Sequence, residues 1–254
     1  MEVREHMYPP AQPVRPFKAI RTFIRFMRDK EDTRQVFNFI NALNGTSVRP
    51  AFRWFMASDN AELLLRDDPK ALLRALDDRE RLRKLPVGTV GRIYADFMDR
   101  EGLDTDGVSI ANKEAGFITP EFERAYPEYA GFIWFMNLTH DLYHILTGFN
   151  RDSLGEAALL NYSAVMGNSR GTRVLSWLAA LRIKSEAPGL PIFKIVANGR
   201  RMGLQSKRLL EVNFIEILDR PLHEVRRELN IVPDPLYAAQ PQERLLALVA
   251  PQAA

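Results

Sequence analysis

The chain contains no cysteine. That excludes a disulfide scaffold, a cysteine nucleophile, a thiolate zinc finger and a cysteine-held iron–sulfur cluster. It also agrees with a reducing compartment. No uninterrupted apolar run reaches about 20 residues, so no membrane-spanning helix is expected. The opening stretch MEVREHMYPPAQPVRP lacks the apolar core of a secretion signal, and its acidic residues argue against a mitochondrial transit peptide. Neither charge sign is in large excess: 35 Lys plus Arg against 32 Asp plus Glu leave a net charge of +3 over 254 residues. One basic stripe near the N-terminus is too little for the concentrated patch of a nucleic-acid binder, and no nucleic-acid partner is expected. Histidine is scarce too, with only His6, His140, His144 and His223.

What is present is ordinary globular composition, 46% hydrophobic and 26% charged. Apolar residues recur at helical spacing almost throughout, and no alternation of period two is long enough for a sheet. The reading is all-α: a single-domain multi-helix bundle over residues 16–235, preceded by a proline-bearing flexible arm at 1–15 and followed by a loose tail at 236–254. Pro16 suits a first helical position, and Ile20, Phe23, Ile24 and Met27 follow at helical spacing. Lys18, Arg21, Arg25 and Arg28 make the basic stripe of that helix. Asp32 is expected to cap the second helix, which ends at Gly45. Residues 89–101 read as a helix, 102–112 as a loop, 127–148 as one long apolar helix, 153–168 as its successor and 206–218 as a further helix. Pro233 and Pro235 are expected to end the ordered part.

Two of the four histidines stand four residues apart, in THDLYHILTGFNRDSLGEAALL. At about 100° per residue, His144 lies roughly 40° from His140 around the helix and Asp141 roughly 100° from it. Glu156 follows in the next helix, and the short turn from Gly148 to Asp152 allows the two helices to run antiparallel. A metal site between them is therefore expected, with His140, Asp141, His144 and Glu156 as ligands. Mixed nitrogen and oxygen donors suit zinc, and equally iron(II), manganese or cobalt. The bland alternative is a histidine pair satisfied by core hydrogen bonds, with Asp141 orienting one ring. Apolar flanks make four uncompensated ionisable groups costly there, which favours the metal. The spacing departs from the H-E-x-x-H metalloprotease motif, because Asp141 stands where that motif has Glu.

The H-D-x-x-H-x(11)-E arrangement, with LPVGTVGRIYADFM at 85–98, LGEAALL at 154–160 and RPLHEVRRELNI at 220–231, resembles the coenzyme Q biosynthesis protein 4 family. EDTRQVFNFINALNG at 31–45 is similar to the N-terminal region of its bacterial members. The resemblance implies an all-helical fold, a divalent metal usually taken as zinc, and a role in making ubiquinone. Members are described as organising the biosynthetic enzymes and as replacing the carboxylate on ring carbon one of a prenylated hydroxybenzoate with a hydroxyl. The four motif residues would act catalytically through the metal.

A substrate with a prenyl tail calls for an apolar groove, for which Phe132, Phe135, Met136 and Val165 are candidate walls. Tyr143 and Tyr162 are candidate hydrogen-bond partners of its phenol. The Lys18, Arg21, Arg25 and Arg28 stripe is a candidate membrane surface. The expected place is the bacterial cytoplasm at the inner membrane, with other ubiquinone biosynthesis enzymes as partners and a homodimer as the plausible assembly. Two other readings compete: a non-catalytic prenyl-lipid-binding scaffold with a structural metal, and an unrelated metal-dependent hydrolase.

Overall fold

The computed structural model describes residues 3–28, 34–114, 116 and 118–248. Those residues form helices and turns, with an isolated β-bridge between Thr89 and Pro221. The helices run α1 (Pro16–Arg28), α2 (Arg34–Asn44), α3 (Arg49–Met56), α4 (Asp59–Glu62), α5 (Ala71–Asp77), α6 (Arg79–Lys84), α7 (Val90–Glu101), α8 (Gly107–Glu114) and α9 (Pro120–Ala125). They continue as α10 (Pro127–Leu138), α11 (His140–Thr147), α12 (Ser153–Met166), α13 (Arg170–Glu186), α14 (Ile192–Gln205), α15 (Phe214–Ile217), α16 (Leu222–Glu228), α17 (Pro235–Ala238) and α18 (Gln242–Leu246). The chain folds into two compact units, each assembled from separate stretches of sequence.

The first unit takes Met1–Pro10, Arg49–Leu146 and Lys207–Asn230. Its core is aromatic. Phe55 meets Phe132 and Phe135 at ring-centroid distances of 5.6 and 5.2 Å, and Phe135 meets Phe214 at 5.9 Å. All four rings are buried, each contributing on the order of 2–3 kcal/mol of apolar transfer free energy. Helix α7 begins where the Thr89 side chain accepts from the Arg92 N–H, and it stops at Gly102, whose φ of +64° is the left-handed cap a glycine supplies readily. Its first turn is clasped by a distant segment. Val90 N–H donates to Arg220 O at 2.9 Å, Gly91 N–H to Leu218 O at 2.7 Å, and Leu222 N–H to Gly88 O at 2.8 Å. The clasp fixes where the following residues of α7 point, and these include Tyr94 and Phe97.

The second unit takes Ala11–Val48, Thr147–Ser206 and Ile231–Ala254. Helix α12 is its axis, buried on nearly every side, as the alanine- and leucine-rich sequence between Ser153 and Met166 requires. Ser176 Oγ of α13 donates to Ala157 O at 2.7 Å, and Asn161 Nδ2 of α12 donates to Val196 O of α14 at 3.0 Å. Helix α14 reaches α12 at backbone distance: a Cβ on Gly199 would lie 2.3 Å from Ala158 O. Ala19, Phe39, Ala42 and Leu175 join α1, α2 and α13 in a smaller apolar cluster.

Most helices fall where the apolar spacing placed them, and five expectations need correction. Residues 102–112 are not all loop, since α8 covers Gly107–Glu114. The 127–148 helix is interrupted at Thr139, whose hydroxyl donates to Phe135 O at 2.9 Å. Residues 206–218 hold only a 3-10 turn, Leu209–Glu211, and the short α15, because Asn213 caps a fresh start through the Ile215 N–H. Order continues past Pro235, which opens α17 behind the capping carboxylate of Asp234 and carries the buried Tyr237. Beyond it Leu248 O accepts the Ser153 N–H at 2.9 Å. Within the expected arm, Tyr8 is buried edge-on against Phe52 with the Arg49 guanidinium 4.5 Å over its ring. The Asp32 cap and the side chain of Arg28 lie outside the described residues.

Candidate metal centre

Helix α11 starts immediately after the break at Thr139, so His140 and Asp141 occupy its first turn. A carboxylate is favoured there by the exposed N–H groups and the helix dipole. His144 follows one turn on, and the two imidazoles stand edge to face, 5.1 Å apart at 87°. The potential ligand atoms of His140, Asp141 and His144 all lie within 4.8 Å of one another. An ion binding at about 2.1 Å would draw such atoms to about 3.4 Å, a change within reach of small side-chain rotations. Asp141 and His144 are 7% and 2% exposed, while His140 is only half-buried. One side of the cluster is therefore walled and the His140 side is more open.

The wall comes from α7. Phe97 lies stacked on His144, centroids 5.7 Å apart and planes 28° from parallel. Tyr94, one turn earlier, is fully buried. Burial raises its pKa and the Asp141 charge adds to the rise, against a smaller opposing pull from Thr105 and Arg79. At the far end of α11, Arg226 Nε donates to Leu146 O at 2.9 Å and Nη2 to Ile145 O at 2.8 Å. A cation on the last carbonyls of a helix completes it. Desolvation lowers the pKa of that guanidinium, which stays charged nonetheless.

The remaining expected site residues divide between the two units. Tyr143 is buried in the first unit, near-parallel to Phe214 at 6.3 Å, and burial raises its pKa. Phe132 and Phe135 belong to the aromatic core there, and Met136 is half-buried. In the second unit the Tyr162 hydroxyl pairs with Ser206 Oγ at 3.2 Å, and Val165 packs where the Gly203 backbone comes close. Glu156 stands half-buried in the first turn of α12. That turn is held by Asp152, whose Oδ1 accepts from Leu154 N–H at 3.1 Å and Gly155 N–H at 3.0 Å. Its Oδ2 accepts from the Tyr237 hydroxyl, which itself accepts the Asn150 N–H at 3.0 Å. Sequence reasoning missed Tyr94, Phe97, Asp152, Tyr237 and Arg226 as neighbours of the candidate ligands. For Tyr94 and Phe97 a signal existed, since both stand in the 85–98 segment on which the resemblance rests.

Two histidines and an aspartate gathered on a buried helix define an all-helical protein with a donor set suited to a divalent ion. The family model for "Coenzyme Q (ubiquinone) biosynthesis protein Coq4" matches residues 17–235, and the chain belongs to that family of ubiquinone biosynthesis proteins. It is 30% identical over 207 residues to the mitochondrial ubiquinone biosynthesis protein COQ4 of Coccidioides immitis (strain RS), covering 78% of this chain and 68% of that protein. The corresponding protein of Uncinocarpus reesii (strain UAMH 1704) is also 30% identical over 207 residues, covering 78% and 69%. The fold is similar to a crystal structure from Nostoc punctiforme assigned to ubiquinone biosynthesis. The TM-score is 0.59 at 19% identity, over 85% of this chain and 98% of that one.

Proposed function

We propose that the chain acts on a prenylated hydroxybenzoate precursor of ubiquinone, with a divalent ion held by His140, Asp141 and His144. What supports this reading is the buried His140–Asp141–His144 cluster in a member of a ubiquinone biosynthesis family. Zinc is the first candidate, with iron(II) and manganese behind it, because imidazole and carboxylate donors serve all three. The ion would supply Lewis-acid polarisation to the carboxylate and phenol oxygens of the substrate. The chain's own residues do the rest. Phe97 and the burial of His144 keep water from one side, while the half-buried His140 leaves an approach for the aromatic ring. Tyr143 is a candidate partner of the phenol, and Phe132, Phe135 and Met136 are candidate contacts of the tail.

The proposed conversion exchanges a ring carboxylate for a hydroxyl and releases carbon dioxide. The ring–carboxylate bond breaks, a ring C–O bond forms with an oxygen atom from water or dioxygen, and two electrons leave the ring for an acceptor, dioxygen being the simplest. The test is elemental mass spectrometry on the unaltered protein and on His140→Ala, with unfolding followed in parallel. One equivalent of metal lost with the fold retained supports a catalytic ion, and decarboxylation of prenylated hydroxybenzoates is then assayed. Metal and fold lost together favour a scaffold with a structural ion. No metal in the unaltered protein sinks the reading.

Helix α1 supports a place at a lipid surface. Phe17, Ile20 and Ile24 are exposed on one stripe, with Lys18, Arg21 and Arg25 exposed on the stripe beside it. Ala19 and Phe23 hold the opposite face in the apolar cluster with Phe39. No acidic residue occurs between Pro16 and Arg28. An exposed apolar stripe flanked only by cations suits an anionic bilayer, where the substrate's tail would reside. The proposal places the chain in the bacterial cytoplasm, bound peripherally to the inner membrane. Organisation of the other biosynthetic enzymes, or of a second copy, is a second reading, favoured by the exposed Val174, Leu181 and Phe193 on α13 and α14.

A further inference from the structure

Tyr94 is 0% exposed, and its hydroxyl, beside Thr105, makes no hydrogen bond of ordinary geometry. A buried hydroxyl in that state costs free energy, so its retention calls for a reason. Its neighbours are informative. Thr105 is engaged in both directions, receiving Arg79 Nη2 at 3.3 Å and donating to Asp77 Oδ1 at 3.2 Å. The Arg79 guanidinium lies 5.8 Å over the Tyr94 ring and can only donate. Asp141 is near enough for its charge to act on the phenol. Phe97, three residues further along α7, is stacked on His144, so this face of α7 abuts the helix that carries the cluster.

A carboxylate that binds an ion through one oxygen keeps a second oxygen with free lone pairs. Carboxylate ligands are themselves hydrogen-bonded as a rule, and the outer partner fixes which oxygen faces the ion. We propose that Tyr94 is a positioning residue for Asp141: its hydroxyl donates to the carboxylate oxygen left over when the other oxygen takes the cation. This rests on the reading of His140, Asp141 and His144 as ligands, and it adds an outer residue contributed by α7.

The experiment is a cobalt(II) titration of the full chain stripped of metal by chelator, followed by visible absorption, for the unaltered protein and for Tyr94→Phe. Thermal unfolding of both metal-free proteins is measured alongside. The expected result is a ten- to hundred-fold weaker cobalt(II) affinity in Tyr94→Phe, with an altered ligand-field spectrum. The metal-free unfolding midpoint should be unchanged or raised, because a hydroxyl without an ordinary hydrogen bond is removed and no acceptor is orphaned. A lowered metal-free midpoint with loss of affinity in proportion would make Tyr94 a structural residue and overturn the proposal. Equal affinities in the two proteins would overturn Tyr94's role and leave the ligand assignment standing. No cobalt(II) bound by the unaltered protein would overturn both.

Discussion

Phe97 of α7 lies on the imidazole of His144, 5.7 Å centroid to centroid and 28° from parallel. The contact packs one candidate ligand ring in place, and the Arg100 guanidinium lies over the Phe97 ring at 5.4 Å. Phe97→Ala should cost about 3–5 kcal/mol, the range for emptying a buried aromatic site. Urea unfolding of the metal-free protein measures this. Phe97→Leu should recover most of the loss while leaving His144 less well oriented, seen as weaker metal affinity at near-normal stability.

Arg226 completes the C-terminal end of α11 with two hydrogen bonds, to Ile145 O and Leu146 O. Arg226→Met keeps much of the aliphatic stem and removes both donors. It should destabilise by roughly 1.5–3 kcal/mol, the range for losing hydrogen bonds to a charged group. Arg226→Lys should recover only part of this, since one ammonium does not reproduce the two-pronged geometry of a guanidinium. Hydrogen exchange in α11 would localise the effect.

Asp152 gives a pH signature. Burial raises its pKa in the folded chain, against smaller lowering by Tyr237 and the N–H groups of Gly155 and Leu154. A carboxyl whose folded pKa exceeds its unfolded value of about 3.9 stabilises most when protonated. Its contribution is complete below about pH 3.9 and is lost as the pH rises through the folded value. Asp152→Asn keeps a capping oxygen and removes the charge. The stability difference between Asp152→Asn and the unaltered protein should therefore shift toward Asn as the pH rises from about 4 to 7. Urea midpoints at several pH values would show it; a constant difference contradicts this account.

Two glycines should respond very differently to a methyl group. At Gly199 the added carbon would sit 2.3 Å from Ala158 O, so α14 must move off α12. Gly199→Ala should cost about 3 kcal/mol or more, at or above the upper end for overpacking. At Gly88 nothing lies within 4 Å, and only the φ of +90° resists substitution. Gly88→Ala should cost roughly 1–2 kcal/mol. Thermal melts of the two variants decide it.

For α1, the expected outcome is sedimentation with vesicles containing anionic lipid, reduced by salt and absent with neutral vesicles. Phe17→Glu, which changes a fully solvated ring, should abolish it without altering the melting curve. Retained binding by that variant would remove α1 from the membrane reading.

The legible parts of this molecule are those whose cause is local. Pro16 and the spacing of Phe23 and Ile24 mark α1; Thr89 and Gly102 mark both ends of α7; positions 140, 141 and 144 share a face by helical geometry alone. What escaped is set by partners distant in sequence. Tyr237 meets Asp152 across 85 residues, and Arg226 meets Leu146 across 80. Neither residue carries a local mark of its task. The 206–218 stretch is apolar enough for a helix, yet Leu209 and Leu210 are buried in a 3-10 turn and Asn60 Nδ2 takes the carbonyls of Leu210 and Val212. Those bonds to a remote side chain replace the helical ones.

Each compact unit is stitched from three separate stretches of chain, and the last of them lie beyond residue 206. During synthesis the ribosome delivers α11 and α12 long before Arg226 and Tyr237 exist to secure them. Neither unit has its full set of contacts until nearly the whole chain has emerged. A nascent chain stalled at residue 206 would hold the candidate ligands yet lack the clasp at Leu218 and Arg220 and the phenol on Asp152. Completion of both units is thus deferred to the end of translation, and a prematurely terminated product leaves both unfinished at once.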